Sequence, residues 1–185
     1  MSVVDLPDHS RSVGIDGVLL IRLTPHADAR GSLTEAYRRA WLPGREMLQG
    51  NVSRSKPNVL RGLHFHREQA DYWCLISGRA FVGLYDLRRD SPTSGTRLEL
   101  HLDAAGTATG LYLPPGIAHG FYAETEITLL YLVDAYFTGE DEFGVAWDDP
   151  QIGISWPSRD PLLSERDRAN PPLREILGHP PRRRT

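Results

Sequence analysis

Cysteine is nearly absent from this chain. Cys74 stands alone, so no disulfide can form within the chain and nothing demands an oxidising compartment. Lysine is as scarce: 20 of the 21 basic residues are arginine, and the exception is Lys56. Chemistry that needs a lysine, such as Schiff-base formation, therefore has a single candidate. Codon bias in a GC-rich genome is the simplest cause of that imbalance. Long apolar runs are missing too. None approaches the ~20 residues that span a bilayer. The opening stretch carries Asp5, Pro7 and Asp8 and no apolar segment of signal-peptide type, so a cytoplasmic protein is expected. A formal net charge of -3 argues against a general nucleic-acid binder. The Arg182-Arg183-Arg184 run reads as a solvated tail rather than a nucleic-acid patch.

What is present is ordinary globular composition, 40% hydrophobic over 185 residues. That length suggests one domain covering 1–185, with loose tails at 1–14 and 178–185. Gly and Pro punctuate short runs of β-formers. The runs are Val18–Leu23, Leu33–Tyr37, Val59–Phe65, Asp71–Ile76, Arg79–Leu87, Thr96–Leu102, Gly110–Leu113, Gly120–Ala123 and Thr128–Phe137. Ser77-Gly78 reads as a hairpin turn between two of them. The nearly all-apolar Ala80–Tyr85 reads as a strand buried on both sides. Many short strands predict an antiparallel all-β sandwich or barrel. Helices are expected only at Ala40–Leu48 and, after Asn170-Pro171-Pro172, at Leu173–Leu177.

Chemistry concentrates in Arg61-Gly62-Leu63-His64-Phe65-His66. Strand alternation sets Gly62, His64 and His66 on one face and Arg61, Leu63 and Phe65 on the other. A further histidine, His119, follows the Pro114-Pro115-Gly116 turn. These two segments resemble the paired motifs of the cupin superfamily, a jelly-roll barrel. In that reading His64, His66, Asp71 and His119 are a candidate metal set suited to iron, manganese or zinc. It implies a metal-dependent isomerase or dioxygenase.

A second resemblance covers roughly residues 15–175. Its segments are Asp28–Gly31, Asn51–Ser55, Val59–Phe65, Asp86–Arg88 with Ser91–Thr93, Ile117–Phe121, Trp147–Pro150, Ile154–Pro157 and Leu163–Asp167. In that order they resemble the dTDP-4-dehydrorhamnose 3,5-epimerase family. The resemblance implies a cupin-type jelly roll that epimerises a dTDP-linked 4-keto-6-deoxyhexose at C3 and C5, or at C3 alone. It implies no redox cofactor and no metal. Such a reaction needs a base, an acid on the opposite face and a stabilised enolate. The resemblance makes His64 the base, Asp167 its orienting carboxylate and Tyr131 the acid. Imidazole suits the first task because it titrates close to neutral pH. His119 lines the pocket in this reading. Arg30 and Arg61 match diphosphate-binding arginines. Glu35, Gln49 and Asn51 match polar positions around thymidine and sugar. Tyr136 lies near the family's base-stacking aromatic, and Glu142 and Arg166 match further binding positions. The Arg30 segment comes from the partner subunit in the family, which implies a homodimer with shared sites.

The chain departs from the family inside the pocket. His66 replaces a glutamine, and Asp71 stands where the family carries a lysine that helps hold the enolate or the keto oxygen. A carboxylate beside a developing enolate is unfavourable unless protonated, turned away or paired, and His66 is the candidate partner. Ser32-Leu33-Thr34 lacks the family's base-packing aromatics, and Leu132 and Phe137 also differ. A non-catalytic sugar-nucleotide binder is the remaining alternative.

Overall fold

The computed structural model describes residues 10–178 except Pro43 and Thr107. Thirteen strands are numbered in chain order. One six-stranded sheet runs β1 (Ser10–Ser12), β2 (Leu19–Arg22), β10 (Thr109–Leu113), β7 (Asp71–Ser77), β12 (Ile127–Val133), β5 (Gln49–Ser55). A five-stranded sheet runs β13 (Phe143–Gly144), β6 (Leu60–Phe65), β11 (Ile117–Ala123), β8 (Arg79–Asp86), β9 (Arg97–Asp103). Pairing within both sheets is antiparallel. A separate exposed hairpin joins β3 (Pro25–Asp28) to β4 (Gly31–Thr34). The two large sheets pack as a jelly roll, the expected cupin-type architecture.

Alternation along the strands explains the layers. Trp73, Leu75, Leu111, Leu113 and Leu129 from one sheet meet Val82, Leu84, Ile117 and Phe121 from the other in the central core. Tyr72, Cys74 and Tyr112 face the opposite way and are covered by Leu42, Trp41 and Met47. Leu63, Phe65 and Ala118 face outward from the second sheet. Phe143, Ile152, Leu173 and Ile176 cover them. Ala80–Tyr85 lies within β8, between β11 and β9, and is buried nearly throughout, as its sequence predicts.

Several expectations change. Ser77-Gly78 is not a hairpin turn: β7 and β8 belong to different sheets, and the turn carries the chain between them. Gly78 has φ +81, and a Cβ there would lie 2.2 Å from the Glu126 carbonyl oxygen. The helix expected at Ala40–Leu48 is a single 3-10 turn, Arg39–Trp41; Gly44, at φ +66, lies outside helical geometry. The run Leu33–Tyr37 yields only the end of β4, and Thr128–Phe137 stops as a strand at Val133. Strand β5 was not expected, since it reads as polar sequence. Ser10–Ser12 is no loose tail but an edge strand on β2. The remaining tail segments, 1–9 and 179–185, lie outside the described residues. Two short helices complete the chain: α1 (Glu165–Arg168), and α2 (Leu173–Gly178), which falls where it was expected. No helix among the described residues is long and apolar enough to cross a membrane.

Candidate active site

A cavity of about 420 Å³ opens between strands of the two large sheets. That volume is in the range of small-molecule sites. Alternate residues of four strands line it: Gln49, Asn51 and Ser53 of β5, Asp71 and Trp73 of β7, His119 and Phe121 of β11, and Leu129, Tyr131 and Val133 of β12. This explains the polar character of β5. Its inward side chains face a cavity rather than the core.

Strand β6 breaks the alternation. Arg61 and His64 both line the cavity, although strict alternation sets them on opposite faces. The register against β11 slips between the His119–His64 and Phe121–Arg61 pairs. Gly62 sits inside this irregularity with φ +134, and a Cβ there would lie 2.7 Å from the Gly120 Cα. Only glycine combines that conformation with so close an approach. His66 follows the strand and also reaches the cavity, while Leu63 and Phe65 pack outward.

His64 Nε2 lies 2.6 Å from Asp167 Oδ1. Asp167 is buried on α1, whose first turn is capped by Ser164 Oγ accepting from the Asp167 backbone N–H at 3.1 Å. Burial pushes the Asp167 carboxyl up. Hydrogen bonds from His64, Ser164 and the Gly62 backbone outweigh that and hold it below the usual carboxylate range. The carboxylate therefore fixes the ring with Nε2–H donating, which leaves Nδ1 as the basic nitrogen. Tyr131 lies on the facing sheet. Burial lifts its phenol, and the charges of Asp71 and Glu142 lift it further against Arg61, so it remains protonated at neutral pH.

The other walls are polar. Arg61 Nε donates to Ser55 Oγ at 3.0 Å, and Arg166 meets Glu142 at 3.1 Å. Gln49 Nε2 donates to Asn51 Oδ1 at 3.1 Å. His119 is buried, and its pKa is pushed down to about 4, chiefly by burial and partly by His66 and His64, against Asp71. Asp141 shapes the turn after His66, accepting from the backbone N–H groups of Arg67, Glu68 and Gln69 at 2.8, 2.9 and 3.1 Å.

Ten of the expected residues thus meet in one cavity, with Asp167 directly behind His64. Three do not join them. Arg30 lies on the exposed hairpin, paired with Asp28 at 2.6 Å, and Glu35 is engaged by Arg38 at 2.6 Å. Tyr136 turns into an adjoining cavity, and its neighbour Phe137 lines the main one instead. The Phe137 backbone N–H is held by Gln49 Oε1 at 3.1 Å. Trp73 and Gln69 are pocket residues that sequence reasoning missed. Their alternation with Asp71 was the available signal. The four-residue metal set is not assembled as expected. His66, Asp71 and His119 come together, but His64 is engaged by Asp167.

Partly buried His64, hydrogen-bonded to buried Asp167, shares one jelly-roll cavity with Tyr131, an arrangement chemically able to move protons. Comparison with known proteins agrees. The dTDP-4-dehydrorhamnose 3,5-epimerase family model matches residues 12–175. The chain is 37% identical to dTDP-4-dehydrorhamnose 3,5-epimerase of Salmonella typhimurium over 173 residues, covering 88% of this chain and 94% of that one. It is 39% identical to dTDP-4-dehydrorhamnose 3-epimerase of Streptomyces niveus over 166 residues, covering 85% and 80%. NovW, a 4-keto-6-deoxy sugar epimerase of Streptomyces spheroides, superposes with TM-score 0.84 at 35% identity, covering 96% and 94%. The chain belongs to the dTDP-4-dehydrorhamnose 3,5-epimerase family and is a carbohydrate epimerase.

Proposed function

We propose that this epimerase acts on a dTDP-linked 4-keto-6-deoxyhexose in deoxysugar biosynthesis, with His64 and Tyr131 as its two proton carriers. The observation that carries the reading is the 2.6 Å His64–Asp167 pair facing Tyr131 across the cavity. His64 Nδ1 takes the proton from the carbon beside the keto group. The electron pair moves onto the keto oxygen, and Asp167 stabilises the imidazolium that forms. The Tyr131 hydroxyl then delivers a proton to the opposite face of the same carbon. His64 returns its proton to solvent, and Tyr131 recovers one.

Arg61 and Arg166, with Gln49, Asn51 and Glu142, suit the diphosphate, sugar and nucleoside of such a substrate. Phe137 is better placed than Tyr136 to stack on a base. Arg30 fits a homodimer, in which the exposed hairpin of one subunit completes the pocket of the other. We read residues 1–185 as one domain. The single buried thiol of Cys74 suits a cytoplasmic enzyme.

Incubation with dTDP-4-keto-6-deoxyglucose in deuterated water tests the reading. Deuterium is expected at C3, or at both C3 and C5, which give separate NMR signals. A folded protein that introduces no deuterium at either carbon overturns it.

A further inference from the structure

One wall of the pocket carries a buried negative charge that the proton-transfer steps leave unused. Asp71 lines the cavity with its side chain only 6% exposed. Among the described residues no lysine or arginine pairs with it. The partnership expected of His66 is not made at hydrogen-bond length. His66 Nε2 is 3.9 Å from Asp71 Oδ1, and His119 Nε2 is 3.7 Å from Asp71 Oδ2. The hydrogen bonds the carboxylate does accept come from neutral groups, Gln69 Nε2 at 2.9 Å and Trp73 Nε1 at 3.2 Å. Buried carboxylates are ordinarily paired with a cation, and this one has none hydrogen-bonded to it.

The two imidazoles are turned so that they add acceptors rather than donors. His119 Nδ1 meets the Ile117 carbonyl at 2.9 Å, and His66 Nδ1 meets the Asp141 carbonyl at 2.5 Å. A carbonyl oxygen only accepts, so each Nδ1 donates and each neutral ring presents a lone pair on Nε2. One acceptor atom from each of the three side chains lies within 4.8 Å of the other two. Acceptors that share one donor atom at ~2.9 Å, in roughly tetrahedral directions, lie about 4–5 Å apart, which is close to the spacing here. A hydroxyl offers one hydrogen and water two, both without charge. A primary ammonium offers three, with a positive charge and no lone pair. Glu142 Oε1, 3.7 Å from His66 Nδ1, adds negative potential, although Arg166 shares it at 3.1 Å.

We propose that His66, Asp71 and His119 form a subsite for a protonated primary amine on the sugar ring, so that this epimerase prefers an aminated hexose. The subsite rests on the reading of the substrate as a dTDP-linked 4-keto-6-deoxyhexose, and it narrows that class. In such a sugar the nucleotide takes C1, the keto group C4 and the methyl C5, which leaves C2 and C3 for the amine. The ammonium donates to Asp71 and to both Nε2 atoms. It neutralises the carboxylate that otherwise stands beside a developing enolate, and it brings positive charge to that side of the ring. An acid at position 71, where the family carries a lysine, is then explained: the cation arrives with the substrate. His64 stays outside the subsite, its Nε2 held by Asp167 at 2.6 Å.

Calorimetry at neutral pH with three stable ligands tests the subsite. They are dTDP-6-deoxyglucose and its 2-amino and 3-amino counterparts, in each of which an ammonium replaces one hydroxyl. One aminated ligand is expected to bind at least ~10-fold tighter than dTDP-6-deoxyglucose, the scale of a charge-assisted hydrogen bond. Asp71→Asn, shown to be folded by circular dichroism, is expected to erase that gain. NMR of ¹⁵N-histidine protein needs no variant: the preferred amine is expected to move the Nε2 resonances of His66 and His119 relative to dTDP-6-deoxyglucose and leave those of His64. Equal or weaker binding of both aminated ligands overturns the subsite. So does a gain that survives in Asp71→Asn, or resonances of His66 and His119 that ignore the amine. Deuterium wash-in with dTDP-4-keto-6-deoxyglucose keeps the two readings apart. Exchange without any preference for an amine refutes the subsite alone. No exchange, together with no binding of any of the three ligands, refutes the reaction and the subsite with it.

Discussion

In the proposed reaction His64 acts through a nitrogen that Asp167 does not touch, so the two residues are expected to fail differently when changed. His64→Ala removes the base, and exchange at every epimerised carbon is expected to vanish in the deuterium wash-in. Tyr131→Phe keeps the base and removes the acid, so exchange is expected to persist while net inversion falls. Equal loss of exchange in both variants would contradict that division. Asp167→Asn keeps the shape but loses the charge that holds the tautomer and stabilises the imidazolium. Steady-state kinetics are expected to show kcat reduced about 10²–10⁴-fold with little change in KM.

At the scale of single elements, β6 is the most constrained. Gly62→Ala adds a Cβ 2.7 Å from the Gly120 Cα at φ +134, where neither backbone can yield cheaply. Urea denaturation is expected to show a loss of about 3 kcal/mol or more, within the range for backbone strain combined with overpacking. The turn between β8 and β9 is anchored differently. Asp86 is enclosed and accepts from Arg88 Nε at 2.8 Å, Ser91 Oγ at 2.6 Å and Thr93 Oγ1 at 2.7 Å. Burial pushes this carboxyl up, but those hydrogen bonds prevail and bring its pKa to about 2. The folded value lies below the ~3.9 of an unfolded aspartate, so the stabilisation is complete above ~4 and fades as pH falls toward 2. Asp86→Asn is therefore expected to cost about 2–3 kcal/mol at pH 7, and much less near pH 2, by denaturant titration.

The whole molecule raises the question of shared sites. The β3–β4 hairpin is exposed along nearly all its length, with Leu33 71% exposed and Arg30 paired with Asp28. If Arg30 serves the partner's pocket, Arg30→Ala raises KM. Equal mixing of Arg30→Ala with His64→Ala is then expected to restore about a quarter of the parent activity, by forming heterodimers with one intact site. Activity no greater than that of Arg30→Ala alone would show that each subunit completes its own pocket.

Much of this protein was legible before folding was considered. Segments such as Val59–Phe65 and Ile117–Phe121 carry β-formers and histidines in an order that identified the family and most of the pocket. Apolar runs located β6, β7, β8 and β12, because burial of a strand shows in its own composition. Other features depend on a partner that sequence does not display. Polar β5 is a strand because it pairs with β12 and faces a cavity. Arg61 joins His64 because close approach to Gly120 breaks the register at Gly62. Phe137 rather than Tyr136 lines the pocket, because the chain leaves β12 at Val133 and turns. The sequence by itself determined which chemical groups are available and roughly where strands run, since alternation and turn chemistry are local. Only the tertiary structure decided which groups meet, because the cross-strand register that joins His66, Asp71 and His119, or frees His64 from them, is set between segments distant in the chain.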